Sequence, residues 1–290
     1  MSIRIAHPGR YGDLLWALPT MRAIAERDGE HVHLLLPTDP ANTTPMDRLV
    51  PLLEKQTDYI RVVEIVQDWS ITQDAPRSPR QPHDNCLSLG YTSWPHRALP
   101  YCAAELGNTL ELAENHPEYF FRPWITVPVL NHERHGDPRP RVAVHWTDRY
   151  FELKLGILHE LRRTLPEVRF DWYAEAGSRM HGAGAYSTSF YTLAQLFAGT
   201  QVVLTDCSAA HVLAAGLGVP NVLVVEPEEA RHHWVFWPGS EVHDDGCART
   251  WRQRDHVLGR AIRPVLGGDR RPTFDSRHVV DAIREALNAH

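Results

Sequence analysis

Only four cysteines occur in 290 residues, Cys86, Cys102, Cys207 and Cys247, and they lie far apart with no C-x-x-C pair. Neither a zinc ribbon nor a disulfide framework is signalled. The 18 histidines contain no H-x-x-x-H or H-E-x-x-H spacing, which removes the helix-borne zinc site of metalloproteases. No stretch approaches eighteen uninterrupted apolar residues, so no membrane-spanning helix is expected. Positive charge is in short supply as well: 30 Lys and Arg stand against 36 Asp and Glu, for a net charge of -6 and a pI near 6.3. That balance argues against a surface built wholly to trap polyanions, although it leaves room for a local basic groove. No G-x-G-x-x-G follows the first strand-like run, which speaks against a dinucleotide-dependent oxidoreductase. The chain opens on alternating Ile3 and Ile5 rather than on the apolar segment of a signal peptide, and the expected location is the cytoplasm.

What the sequence does hold is the balance of a globular protein, 43% hydrophobic and 23% charged, at a length that favours two domains. Strand-like Ile3–His7, a break at Pro8–Gly12 and helical apolar spacing from Leu14 to Arg27 lead into a second strand, His31–Leu36. A helix over Met46–Glu54 and a strand over Ile60–Val66 continue the series, and repeated βαβ units imply a parallel sheet. Gln67–His83, with Pro76, Pro79 and Pro82, reads as a long loop, and Leu99–Leu106 as a short helix. Five prolines between His116 and Pro140 suggest a linker, dividing the chain into residues 1–138 and 139–290. The second part alternates again: strands at Arg141–Trp146, Arg169–Tyr173, Val202–Thr205 and Asn221–Val225, helices at Leu155–Leu165, Thr192–Ala198 and Ala209–Gly216. Thr192 and Gln195 have the spacing of a capping box. A final amphipathic helix, Ser276–Ala289, packs against a domain, with the N-terminal one as a candidate.

The segment richest in chemistry runs from Thr205 to Pro220. It leaves an apolar strand and enters a helix, so Cys207, Ser208 and Ala209 present backbone N–H groups at a helix N-terminus, a natural seat for a diphosphate. His211, one turn in, adds a hydrogen bond or a charge, and Asp206 either caps the helix or accepts from a hydroxyl. Asp13 follows a Gly-bounded turn at the carboxyl end of the first strand, where open α/β sheets place ligands. A carboxylate there is a candidate general base, with N-capping as the plainer alternative.

Gly12-Asp13-Leu14-Leu15-Trp16-Ala17-Leu18-Pro19 and the Asp206–Pro220 segment together resemble the two signature regions of the heptosyltransferase-like glycosyltransferases of family nine. The resemblance implies a glycosyltransferase B fold: two Rossmann-like domains facing a cleft, the acceptor mainly on the first and the donor mainly on the second. It makes Asp13 the general base and Asp206 and His211 donor contacts, while Cys207 and Ser208 replace the usual Ser/Thr and Gly. Thr147, Arg149 and Lys154 are similar to the family's hydroxyl-and-lysine phosphate site without its Trp-Pro, and the two cations read equally well as solvated charges at a helix start. Glu175 falls where the family has an acid near the ribose, or else is a surface glutamate. His7, Arg10 and Tyr11 flank Asp13, and Trp94 belongs to an aromatic cluster; all four are acceptor-side candidates beside an ordinary packing role.

No D-x-D pair is present, so protein donors rather than a metal clamp are expected to meet the leaving-group charge, and no cofactor beyond the nucleotide-sugar co-substrate is implied. The leading reading is an inverting, metal-independent transferase acting on a saccharide or other hydroxyl. The Gly12–Thr20 opening and Leu52–Gln56 look most like phage-type members of the family, which makes a 5-hydroxymethylpyrimidine in DNA an alternative acceptor, with Arg77, Arg80 and His83 as phosphate contacts. A noncatalytic nucleotide-sugar-binding protein is the third reading. Nucleobase, sugar, anomeric outcome and oligomeric state are not legible in the residues.

Overall fold

The computed structural model describes residues 2–7, 11–39, 45–70, 86–91, 101–103, 107–108, 123–130, 137–206, 208–224, 241–242, 248–253, 256–262, 265–266, 272–273 and 276–288. It divides into two compact units, Met1–Val127 and Pro128–His290.

In the first unit β1 (Ser2–Ala6), α1 (Tyr11–Asp28), β2 (His31–Asp39), a 3-10 turn (Met46–Leu49) running into α2 (Val50–Leu53), and β3 (Ile60–Ser70) follow the expected alternation. β4 (Leu87–Tyr91), β5 (Tyr101–Ala103) and β6 (Gly107–Asn108) complete a six-stranded sheet of order β3-β2-β1-β4-β5-β6, parallel through β4 and antiparallel beyond it. Leu14, Leu15, Leu18 and Met21 of α1 pack into the core with Ile5 and Leu34. Pro19 sits inside α1 and lacks an N–H, which frees the carbonyl of Leu15 four residues back. The indole Nε1 of Trp124 donates to that carbonyl at 3.2 Å, so a distant residue repairs the ladder. Tyr59 donates to the Trp124 carbonyl (2.7 Å), and the Gln56 side chain bonds both the N–H and the C=O of Thr126. These bonds tie Pro123–Val127 to the first unit.

The second unit holds β7 (Arg141–His145), α3 (Phe151–Thr164), β8 (Arg169–Ala174), β9 (Tyr186–Ser187), α4 (Phe190–Ala198), β10 (Val202–Asp206), α5 (Ala209–Gly216) and β11 (Asn221–Val224). β12 (Glu241–Val242), β13 (Ala248–Gln253), β14 (His256–Ile262), the small pair β15 (Val265–Leu266) and β16 (Pro272–Thr273), and α6 (Ser276–Asn288) follow. The main sheet has the order β12-β13-β14-β11-β10-β7-β8-β9, parallel from β14 to β9. Strand side chains alternate between faces. Val142, Val144, Phe170, Trp172, Val202, Leu204, Val222 and Val224 form one buried cluster with Ile157, Leu158 and Leu161 of α3 and with Val279, Val280 and Ile283 of α6. The last helix thus spends its apolar face in the core of its own unit.

Two local expectations change. Tyr101–Ala103 is a strand paired antiparallel with Leu89–Tyr91, not part of a helix: long-range pairing overrides local propensity there. The cap of α4 is Ser189, whose hydroxyl accepts from the Thr192 N–H at 3.1 Å, so the helix starts earlier than a Thr192–Gln195 capping box requires. Among the described residues no helix is long and apolar enough to cross a membrane.

Candidate functional site

Beyond β7 the chain passes through Trp146 and Thr147 to Tyr150, the non-glycine residue with positive φ (50°) among those described. Its left-handed turn starts α3 at Phe151, and the Lys154 N–H then donates to the Tyr150 carbonyl at 3.0 Å. One turn of helix brings the Lys154 side chain back over the end of β7. From the other side, Asp206 ends β10 and continues the alternation of Val202 and Leu204, so its carboxylate points toward α3.

The two meet. Asp206 Oδ2 accepts from the Lys154 ammonium (2.6 Å), the Thr147 hydroxyl (2.6 Å) and the Thr147 N–H (2.7 Å). Lys154 also reaches the Thr147 carbonyl at 3.1 Å and its hydroxyl oxygen at 3.3 Å. Asp206 is 0% and Lys154 1% exposed. Burial pushes the Asp206 carboxyl up, but the Lys154 charge and hydrogen bond, with those from Thr147, outweigh it and hold the carboxyl below the usual carboxylate range. An ion pair this deep costs several kcal/mol in lost hydration per ion, so it contributes order more than stability. Asp206 Oδ1 is buried without a hydrogen-bond partner. His145, at the end of β7, is buried beside this pair, and neither ring nitrogen has a hydrogen-bond partner. Burial lowers its pKa, only partly offset by Asp206 and Glu175, so the ring is neutral near pH 7.

Ser208 precedes α5 in extended conformation, its hydroxyl makes no cap bond to the helix, and Ala209 opens the helix. The His211 N–H donates to the Ser208 carbonyl at 3.1 Å. The His211 ring is buried, and burial pulls its pKa down to about 4 against the opposing pull of Asn221 and Asp206. At neutral pH the ring is therefore uncharged, which removes the positive charge considered from sequence. Glu175 is exposed immediately after β8, and Arg149 is exposed between β7 and α3. The structure thus brings Thr147, Lys154 and Asp206 into one cluster. Cys207 lies outside the described residues.

On the first unit, Asp13 is the third residue of α1, near the end of β1, and its side chain lies outside the description. His7 follows β1, is fully buried, and has its pKa lowered to about 3 by that burial. Tyr11 is buried and donates to the Pro45 carbonyl at 2.7 Å. Arg10 and Trp94 lie outside the described residues, as do Arg77, Arg80 and His83.

Sequence reasoning passed over Asp148 and the segment between β8 and β9. Asp148 accepts from the Ser178 hydroxyl and the Arg179 N–H, tying that segment to the loop that carries Thr147. Adjacency to Thr147 was the available signal for Asp148. A groove of about 250 Å³ lies between β8, β9 and α4, lined by Tyr173, Tyr186 and Thr192 among others. Its acid, Asp171, is bound by Arg141 (3.0 Å) and Arg169 (2.8 Å) and lies on the sheet face away from Lys154, so this groove is distinct from the ion-pair site. Among the described residues no group of His, Cys, Asp and Glu is arranged to hold a metal ion.

The fold that carries this cluster, with its parallel sheets in two units, is that of the glycosyltransferase B proteins. The family 9 glycosyl transferase from Veillonella parvula superposes with a TM-score of 0.58 at 9% identity, covering 99% of this chain and 98% of that one. The heptosyltransferase WaaC of E. coli, solved with ADP, gives a TM-score of 0.53 at 12% identity over 99% and 100% of the two chains. Neither a family model nor a curated protein sequence matches the chain.

Proposed function

We propose that this chain is an inverting, metal-independent glycosyltransferase that uses a nucleotide-sugar donor and a hydroxyl acceptor. The observation that carries the proposal is the Asp206–Lys154–Thr147 cluster at the carboxyl ends of β7 and β10, in a fold shared with family 9 enzymes. Asp206 and the buried Lys154 ammonium hold the Thr147 loop in place, and the first-turn amides of α5 receive the diphosphate, with the Lys154 charge behind them. His211, neutral, adds a hydrogen bond; Glu175 takes the ribose, and Arg149 and Cys207 line the donor's path. Because ADP accompanies WaaC, an adenine nucleotide is the first donor class to examine.

Asp13 acts as the base, with His7, Arg10, Tyr11 and Trp94 on the acceptor side. Its carboxylate takes the proton of the acceptor hydroxyl as that oxygen bonds to the anomeric carbon. The bond from that carbon to the β-phosphate oxygen breaks with its electron pair, and the nucleoside diphosphate leaves with inversion. The absence of any D-x-D pair from the sequence is the ground for assigning charge stabilisation to protein groups.

A donor panel followed by nucleotide release, with saccharides and hydroxymethylated DNA as acceptors in parallel and with chelator present, tests this directly. Asp13→Asn should reduce turnover by about 10²- to 10⁴-fold, the usual contribution of a positioned base. Near-normal turnover in that variant removes Asp13 from the mechanism, and nucleotide binding without turnover on any acceptor returns the chain to a noncatalytic binder.

A further inference from the structure

Between β8 and β9 the chain runs from Glu175 to Ala185 through a short 3-10 turn (Arg179–Ala183), and Gly177 (φ 88°) and Gly184 (φ 98°) supply its left-handed corners. His181 lies inside this segment with both ring nitrogens committed. Nδ1 is 3.0 Å from the Ala185 carbonyl oxygen and Nε2 is 2.7 Å from the Glu175 carbonyl oxygen. A carbonyl oxygen only accepts, so both nitrogens must carry hydrogen, and only the imidazolium does. A neutral ring would set a lone pair against one of the two carbonyls.

We infer that His181 is a cationic clamp and a positioning residue: it joins the two ends of the 175–185 segment and holds that segment against the loop bearing Thr147. The second half of the contact is visible from the other side. Asp148, next to Thr147, accepts from the Ser178 hydroxyl and the Arg179 N–H, and the Arg179 guanidinium lies 4.9 Å over the Phe151 ring at the start of α3. Of the charges around His181, Asp148 raises its pKa from the β7–α3 side; Arg179 is on its own turn, α3 meets the corner through uncharged Phe151, and Glu175 contributes its carbonyl. The two carbonyl bonds raise the imidazole above its ordinary value, and Asp148 adds to them. A raised folded-state pKa means that the clamp is complete below about pH 6.5, the unfolded value, and is lost as pH rises through the folded one.

The consequence for donor binding rests on the transferase reading, because Glu175 and Thr147 are donor contacts only under it. Histidine-¹⁵N-labelled protein, titrated by NMR with the His181 signal identified from its loss in His181→Arg, reads the clamp itself. The midpoint should lie above about 6.5 with both nitrogens protonated below it. Amide protection across 175–185, taken relative to the intrinsic exchange rate at each pH, should fall severalfold above that midpoint in the natural chain. That protection should stay level in His181→Arg, whose guanidinium donates at every pH. ADP affinity should fall roughly three- to tenfold over the same interval in the natural chain alone, the net worth of about one ordinary hydrogen bond. A midpoint at or below the ordinary value, or protection indifferent to it, overturns the clamp. Clamp signatures with no ADP binding at any pH uphold the clamp and remove the transferase reading instead.

Discussion

β1 and β7 open their units alike, each a parallel strand running to a buried histidine, and beyond those histidines the two units diverge. His7 and His145 are both buried and both driven toward neutrality by burial. In the second unit α3 and β10 then deliver Lys154 and Asp206 to the same rim, wholly buried and bonded at 2.6 Å. In the first unit no Asp, Glu, Lys or Arg among the described residues is fully buried; its buried polar contacts, such as Tyr11 to the Pro45 carbonyl, are neutral. Similar parallel sheets thus carry a buried ion pair in one unit and none among the described residues of the other. Under the proposed reaction, the buried pair lies in the unit assigned to the donor.

Breaking the pair is the strongest test of that contrast. Asp206→Asn or Lys154→Met alone should destabilise the second unit by about 3–5 kcal/mol, because each leaves a buried group uncompensated. Lys154→Met with Asp206→Leu should recover most of that loss in urea unfolding. A double variant no more stable than either single one would mean that the charges are needed for the fold.

The buried histidines sharpen the comparison through pH. The pKa values of His7 and His211 fall to about 3 and about 4 in the folded chain, so below about pH 6.5 the unfolded chain binds protons that the native one refuses. Stability should therefore fall on acidification at up to about 1.4 kcal/mol per pH unit for each ring. The decline from His211 ends near pH 4 and that from His7 near pH 3. Asp206 behaves like any carboxylate with a lowered pKa, losing its contribution only as pH falls below the ordinary carboxylate range. Denaturation midpoints from pH 7 to pH 4.5, repeated on His7→Gln, separate the units; an unchanged slope in that variant would remove the first unit's share. The smallest effect belongs to Ser189→Ala, about 1 kcal/mol from the lost cap of α4, with the ion-pair rim untouched.

Much of this was legible in the sequence, for identifiable reasons. The strand into Asp206 and the helix from Ala209 to Gly216 stand where apolar run and motif put them, since a fully buried strand and its following helix leave strong local patterns. Lys154 was legible as a position but not as a role: burial and the partner 52 residues away come from the fold, and a lysine at a helix start reads as solvated until β10 is placed beside it. The hold of Leu15, Gln56 and Tyr59 on Trp124 and Thr126 is tertiary, and proline counting does not see it. β5 and the strands β12 to β14 escaped for the same reason, as their pairing partners are supplied by tertiary structure. His181 carries no motif; only two carbonyls closing on one ring reveal its charge state.

Calorimetric titration of ADP into the natural chain and into Lys154→Met/Asp206→Leu puts the donor-holding rim to its most direct test. The natural chain should bind, and the folded double variant should bind at least about tenfold more weakly, because the Thr147 loop at the donor rim loses the pair that orders it. Equal affinity in the two proteins, or no binding of ADP or any other nucleoside diphosphate by the natural chain, would contradict the assignment of this buried pair to the donor.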